Sequence, residues 1–280
     1  MKAGSTLILL TMLWWGPDWA SAQLTLVPDS RPQSVFAGSN RKISVVWRNT
    51  GDEVADVELR FRLYQGTAAT AVLLNEAPLR RVKVLPGQTV SDSAVLDFPA
   101  VRAETRFMVQ WLDGTNRLLG TTHVSVYPTN LLGELKLLAG DNTGLGLYDP
   151  HNQIKPVVRS LGLQFADLEG TGLENFSGKL AVLGPFMQSA AIPTGFANRV
   201  KNLASNNVAV VWLVPPPDKY DKPRPSFYAV SVPGCTNAIV VAQADTVASL
   251  ADDPRAQLNL LHFCRLALRP EEPQLPFLTH

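Results

Sequence analysis

Val57-Glu58-Leu59-Arg60-Phe61-Arg62-Leu63-Tyr64 alternates apolar and polar side chains without a break. Successive side chains of an extended chain point to opposite faces. The octapeptide therefore predicts a strand with Val57, Leu59, Phe61 and Leu63 turned to a core and Glu58, Arg60, Arg62 and Tyr64 turned away. Further period-two stretches lie outward from it at 24–27, 43–48, 72–74, 81–85, 91–96, 106–112 and 118–126. Asn49-Thr50-Gly51-Asp52, Pro86-Gly87 and Asp113-Gly114 stand between them with the turn chemistry of antiparallel connections. Short strands at this spacing predict an all-β immunoglobulin-like sandwich over residues 23–128.

Pro128-Thr129-Asn130 opens a linker, 129–133, beyond which the period changes. Strands are expected at 134–138, 163–166, 179–183, 208–214 and 238–242, and helices at 150–161, 193–205 and 253–268. Leu180-Ala181-Val182-Leu183 and Val208-Ala209-Val210-Val211-Trp212-Leu213-Val214 have no solvent-facing alternation. That suits a mostly parallel sheet covered by helices on both faces, so residues 134–280 are expected to form an α/β domain. The charged, proline-rich stretch 218–225 reads as a surface loop.

The chain has 280 residues, 46% of them hydrophobic and 18% charged, which is enough apolar content for two ordinary cores. A formal charge of +1 supplies no positive field for a phosphate backbone, so nucleic acid is excluded as an expected partner. Residues 1–22 read as a signal peptide: Lys2, an apolar run over 7–15, and Ala20-Ser21-Ala22 as a small-x-small cleavage site. Cleavage near Ala22 removes Lys2 and Asp18, one charge of each sign, and leaves the balance at +1. The expected location is periplasmic, cell-surface or extracellular, with no membrane span in the mature chain. Export allows a Cys235–Cys264 disulfide, the alternative being two buried thiols.

Ile43-Ser44-Val45-Val46-Trp47-Arg48-Asn49-Thr50-Gly51, the alternating strand after it, and Leu85-Pro86-Gly87-Gln88-Thr89 resemble the CARDB-like bacterial sandwich domains over residues 23–128. That resemblance implies a spacer or interaction module and no chemistry. Lys179-Leu180-Ala181-Val182-Leu183-Gly184-Pro185, the stretch 203–213, and a closing run from Ala238 through Gln243, Asp253-Pro254 and 256–268 resemble class I glutamine-amidotransferase-like domains, including those attached to secreted glycoside hydrolases. This second resemblance spans about residues 134–270. It implies a flavodoxin-like or amidotransferase-like sheet, with a catalytic Cys on the turn after the third strand and a His after a late strand. Gly184-Pro185-Phe186-Met187 stands at the first position and Ala242-Gln243-Ala244-Asp245-Thr246 at the second, so both groups are absent.

Other chemistry finds little support. His123, His151, His262 and His280 are scattered with no i, i+4 pair, so no metal is expected. The glycine-rich stretch 140–146 lacks a Gly-Lys-Ser/Thr ending and the third glycine of a dinucleotide loop, so no cofactor is expected. Trp47, Trp111 and Trp212 sit at strand positions that favour packing over sugar stacking. Arg80, Arg81 and Lys83 fit a solvated sheet face. Asp141, Asn142, Glu169, Gln243 and Asp245 follow expected strands and are the candidate ligand-binding residues at the carboxyl edge of the sheet. The expected function is an exported, non-catalytic binding or scaffolding protein with a protein or polysaccharide partner. The rival is a secreted glycosidase-type hydrolase using Asp141, Glu169 and Asp245.

Overall fold

The computed structural model describes residues 23–66, 70–140, 144–217 and 225–269. The stretch 1–22 read as a signal peptide, the candidate residues Asp141 and Asn142, His280 and most of the 218–225 loop lie outside the described residues. The first eight strands are β1 (Leu24–Leu26), β2 (Gln33–Phe36), β3 (Gly38–Asn49), β4 (Ala55–Gly66), β5 (Ala71–Val84), β6 (Thr89–Phe98), β7 (Thr105–Asp113) and β8 (Leu118–Tyr127). They form two sheets, one antiparallel in the order β1-β3-β6 and one in the order β2-β8-β7-β4-β5. In the second, β2 runs parallel to β8 while the other pairs are antiparallel.

The alternating octapeptide lies in β4, and its Leu59, Phe61 and Leu63 are buried. They join Ile43, Val45 and Trp47 of the other sheet in one core. Trp47 meets Trp111 edge-to-face across that core, ring centroids 5.9 Å apart, and Trp111 Nε1 donates to Thr122 Oγ1 at 2.9 Å. Asn49 is fully buried because its side chain completes the turn it begins. Its Nδ2 donates to the backbone carbonyls of Glu53 and Val84, and its Oδ1 accepts from Gly51 N–H. Gly120 leaves room for Leu26 of β1, whose Cβ would lie 2.4 Å from any Cβ at that position.

A short 3-10 helix (Leu131–Glu134) leads into α1 (Leu135–Ala139), followed by β9 (Leu145–Tyr148), α2 (Lys155–Ser160), β10 (Ala166–Asp167), α3 (Leu168–Thr171), β11 (Leu180–Leu183), α4 (Phe196–Ser205), β12 (Ala209–Val214), β13 (Phe227–Ser231), β14 (Ala238–Gln243) and α5 (Pro254–Leu268). The strands order as β10-β9-β11-β12-β14-β13, parallel except for the antiparallel β13–β14 pair. Leu180, Val182, Val211 and Leu213 point to one face, against α1, α2 and α5. Ala181, Leu183, Val210 and Val241 point to the other, against α3 and α4. Arg255 joins α5 to the N-terminal strands, donating through Nε to Ser34 Oγ at 2.9 Å and through Nη2 to the Pro32 carbonyl.

These sheets correct the expected fold class. The N-terminal half was expected to be an all-β immunoglobulin-like sandwich of antiparallel hairpins, yet β2 adds a parallel edge to the larger sheet. The C-terminal sheet was expected to be mostly parallel and flavodoxin-like or amidotransferase-like, yet its edge strand β13 makes it mixed. Turn signals report only the pairing of neighbours in sequence. Neither the β2–β8 pairing, ninety residues apart, nor the direction of an edge strand follows from them. At 134–138 the expected strand is helical, because Leu132, Leu135 and Ala139 recur at helical spacing and are buried while Leu137 is exposed. The stretches 72–74 and 81–85 lie largely in one long strand, β5, and 163–166 shortens to a two-residue bridge at β10.

Candidate functional site

In an open sheet, side chains that meet a ligand are expected just past the carboxyl ends of parallel strands. Past β9 stands Asp149, nearly fully buried. Its carboxylate accepts the backbone N–H groups of Gln153, Ile154 and Lys155, and so fixes the entry into α2. That turn aims the Lys155 side chain inward, where Nζ pairs with Asp167 at 3.0 Å and with Glu169. Glu169 Oε1 also accepts the N–H of Asp149 at 2.9 Å, and Asp167 caps α3 by accepting from Glu169 N–H. One lysine and three carboxylates thus lock β9, β10, α2 and α3 together.

The electrostatics of Lys155 and Asp167 oppose proton transfer by these two groups near neutral pH. Burial pushes the Lys155 ammonium pKa down, but the bonds to Glu169 and Asp167 outweigh burial and the net direction is up. Burial likewise pushes Asp167 up, and the Lys155 ammonium with the backbone N–H groups of Glu169 and Gly170 carries it below the ordinary carboxyl range. The lysine therefore stays charged and the aspartate ionised, whereas a general acid or base works best with a pKa near the operating pH.

Past β11 the chain turns through a cis Gly184–Pro185 bond into Phe186. Gly184 has φ +104°, and a Cβ there would meet the Leu213 carbonyl at 2.6 Å, so the turn admits glycine alone. Phe186 is fully buried, and its N–H donates to the Leu213 carbonyl at 3.0 Å. Its ring packs against Phe196 at 5.4 Å and Tyr148 at 6.0 Å, and Phe196 in turn meets Trp212 at 6.0 Å. An aromatic cluster thus packs the turn past β11.

The remaining candidates do not converge. Gln243 ends β14, and its Nε2 donates to the Pro225 carbonyl at 3.1 Å. Asp245 follows in a short 3-10 turn and is exposed. β10 and β14 are separated by three intervening strands, four strand spacings, so the two strands that lead to Glu169 and Asp245 stand roughly 19 Å apart. Hydrolytic carboxyl pairs stand within about 10 Å of each other. Asp141 was placed at this edge by the strand expected before it, and that stretch is helical. The strand comes after Asp141, as β9. A shallow concavity of about 40 Å³ lies among Leu135, Ala139, Leu145 and Leu163, and ligand pockets are about ten times larger.

Cys264 faces the core formed with α5, whereas Cys235 packs against the opposite face of the sheet. Both thiols are free, because the sheet stands between them. Burial pushes the Cys264 thiol far up, which makes it a poor nucleophile. His262 is half-buried beside Phe227, its pKa lowered first by burial and then by Arg265. Among the described residues there is no cluster of three or more His, Cys, Asp or Glu able to hold a metal, and no helix long and apolar enough to cross a membrane.

Asp149, Lys155 and Asp167 are the cluster members that sequence reasoning missed. An aspartate followed by a helix start is a capping signal that could have found Asp149. Nothing in the sequence marks Lys155 as buried.

No protein-family model matches the chain, and no curated protein matches it. Among solved structures, the chain is similar to an alkylpurine DNA glycosylase of Pseudomonas fluorescens bound to DNA containing an abasic-site analogue. The TM-score is 0.30 at 12% identity, over 38% of this chain and 31% of that one. A β-glucosidase of Listeria innocua in complex with glucose gives 0.28 at 15% identity, over 38% and 16%. The sporulation control protein Spo0M of Bacillus subtilis gives 0.27 at 11% identity, over 42% and 56%. The chain therefore spans less than two thirds of the length of each, and likenesses this slight assign it no activity.

Proposed function

We propose that the chain is an exported, non-catalytic binding or scaffolding protein of the cell envelope or extracellular space. The observation that carries this reading is the buried Phe186 ring on the Gly184-Pro185 turn, at the position where the resemblance to amidotransferase-like domains would put a nucleophile. The Lys155 ion pairs support it, since they keep Glu169 and Asp167 engaged with the protein itself. The sequence resemblance to CARDB-like modules supports a surface interaction role, and the missing Cys and His of the amidotransferase-like pattern support the lack of chemistry. A protein or polysaccharide partner belongs to this proposal.

The test has two arms. Cell fractionation with N-terminal sequencing is expected to recover an exported chain beginning at Gln23. Purified protein is expected to leave a panel of glycosides, esters and glutamine unhydrolysed. Turnover abolished by Glu169→Gln or Asp245→Asn overturns the non-catalytic reading, and an uncleaved cytoplasmic chain overturns export.

A further inference from the structure

Each apolar core among the described residues lies wholly on one side of the stretch 128–130. One draws on residues 24–126, the other two on residues from 131 onward. No shared core therefore fixes the angle between the two halves, and bodies joined in this way are expected to move relative to each other. The covalent tether is three residues long, Pro128-Thr129-Asn130, between the end of β8 and the 3-10 helix whose Leu132 is fully buried. A second attachment is made by Arg255 of α5, donating through Nε to Ser34 Oγ at 2.9 Å and through Nη2 to the Pro32 carbonyl. Both ends of this bridge are anchored. On one side, Asp253 caps α5 by accepting the Arg255 N–H at 2.8 Å, and Pro254 opens the helix. On the other, Gln33 stands between the two acceptors and is tied to β3, its Nε2 donating to the Ser44 carbonyl at 2.6 Å and its Oε1 accepting the Ser44 N–H at 2.8 Å.

We propose that Arg255 is a releasable clasp between the two halves of the chain. Closed, it holds them as one rigid body; open, it lets them swing about residues 128–130. A guanidinium suits the task, because a planar fork bonded through two of its nitrogens fixes direction as well as distance. Since the backbone is held at both ends of the bridge, this one side chain can set the angle between two bodies. Arg255 is exposed, so water can replace its two acceptors without opening any core. The edge strand β2 begins at Gln33, between those acceptors, so the closed clasp also sets the start of α5 beside that edge.

Small-angle X-ray scattering on the purified chain tests this. The wild-type profile is expected to fit one arrangement of the two halves. Arg255→Ala should require an ensemble of arrangements with a larger radius of gyration, while its far-UV circular dichroism stays that of wild type. Cleavage at 128–130 by a broad-specificity protease should speed up by about tenfold or more, the effect of losing two bonds from a charged donor. Ser34→Ala, which removes one acceptor from the other side, should move both readouts the same way by less, and Arg48→Ala, an exposed arginine on β3, should move neither. If Arg255→Ala fails to fold, Ser34→Ala decides alone. A wild-type chain that already scatters as an ensemble, an Arg255→Ala or deciding Ser34→Ala profile identical to wild type, or an equal response to Arg48→Ala overturns the proposal.

Discussion

Replacing Phe186 by alanine tests the claim that the turn past β11 is packed shut. The ring is fully buried and touches Phe196 and Tyr148. Truncating a buried phenylalanine loses its transfer energy and leaves a cavity, together about 3–5 kcal/mol. The edge-to-face contact with Phe196 accounts for about 0.5–1.5 kcal/mol of that. Gly184 and the backbone bond from Phe186 to Leu213 hold the turn in place, so collapse into the void is restricted and the cost should lie near 4 kcal/mol. With a urea slope of about 2 kcal/mol/M, the midpoint moves down by about 2 M. The assay is urea titration followed by Trp212 fluorescence, since that indole packs on Phe196. Met187→Ala, next in the chain and 45% exposed, should stay within about 0.5 kcal/mol of wild type. If Phe186→Ala costs less than about 1 kcal/mol, the cluster is loose and the claim of a packed turn fails.

Three further outcomes are expected. In native protein Cys235, half-buried, should react with a thiol reagent while the fully buried Cys264 does not, and denaturation without reductant should release the second thiol. Intact mass showing a bonded pair would contradict the separation by the sheet. Burial pushes Asp113 up, but the donors of Thr115 and Arg117 outweigh it and hold the carboxyl below its ordinary range. A depressed folded pKa gives stability that is present above the unfolded value, about 3.9, and is lost as pH falls through the folded one. Asp113→Asn should therefore flatten the acid limb of the stability profile, and an unchanged limb would refute it. Asn49→Ala strands the carbonyls of Glu53 and Val84 and the Gly51 N–H and should cost about 2–3 kcal/mol in thermal or urea unfolding. A neutral result would mean water replaces the amide.

Local pattern carried a definite part of this protein. The alternation at 57–64 and the doubly apolar runs at 180–183 and 208–214 are readable because a side chain's direction follows from backbone period alone, and each stretch lies in a strand with most of those side chains buried. The helix at 131–139 went unread because five leucines in nine residues satisfy a strand and a helix alike, and only burial of Leu132, Leu135 and Ala139 separates them. Sheet membership and strand direction came from the tertiary structure, which pairs β2 with β8 and sets β13 against β14, because long-range pairing depends on which edges are left uncovered. The same holds for the polar cluster. Asp149, Lys155, Asp167 and Glu169 span twenty-one residues of chain, and only the parallel register of β9 and β10 brings their charges within bonding distance.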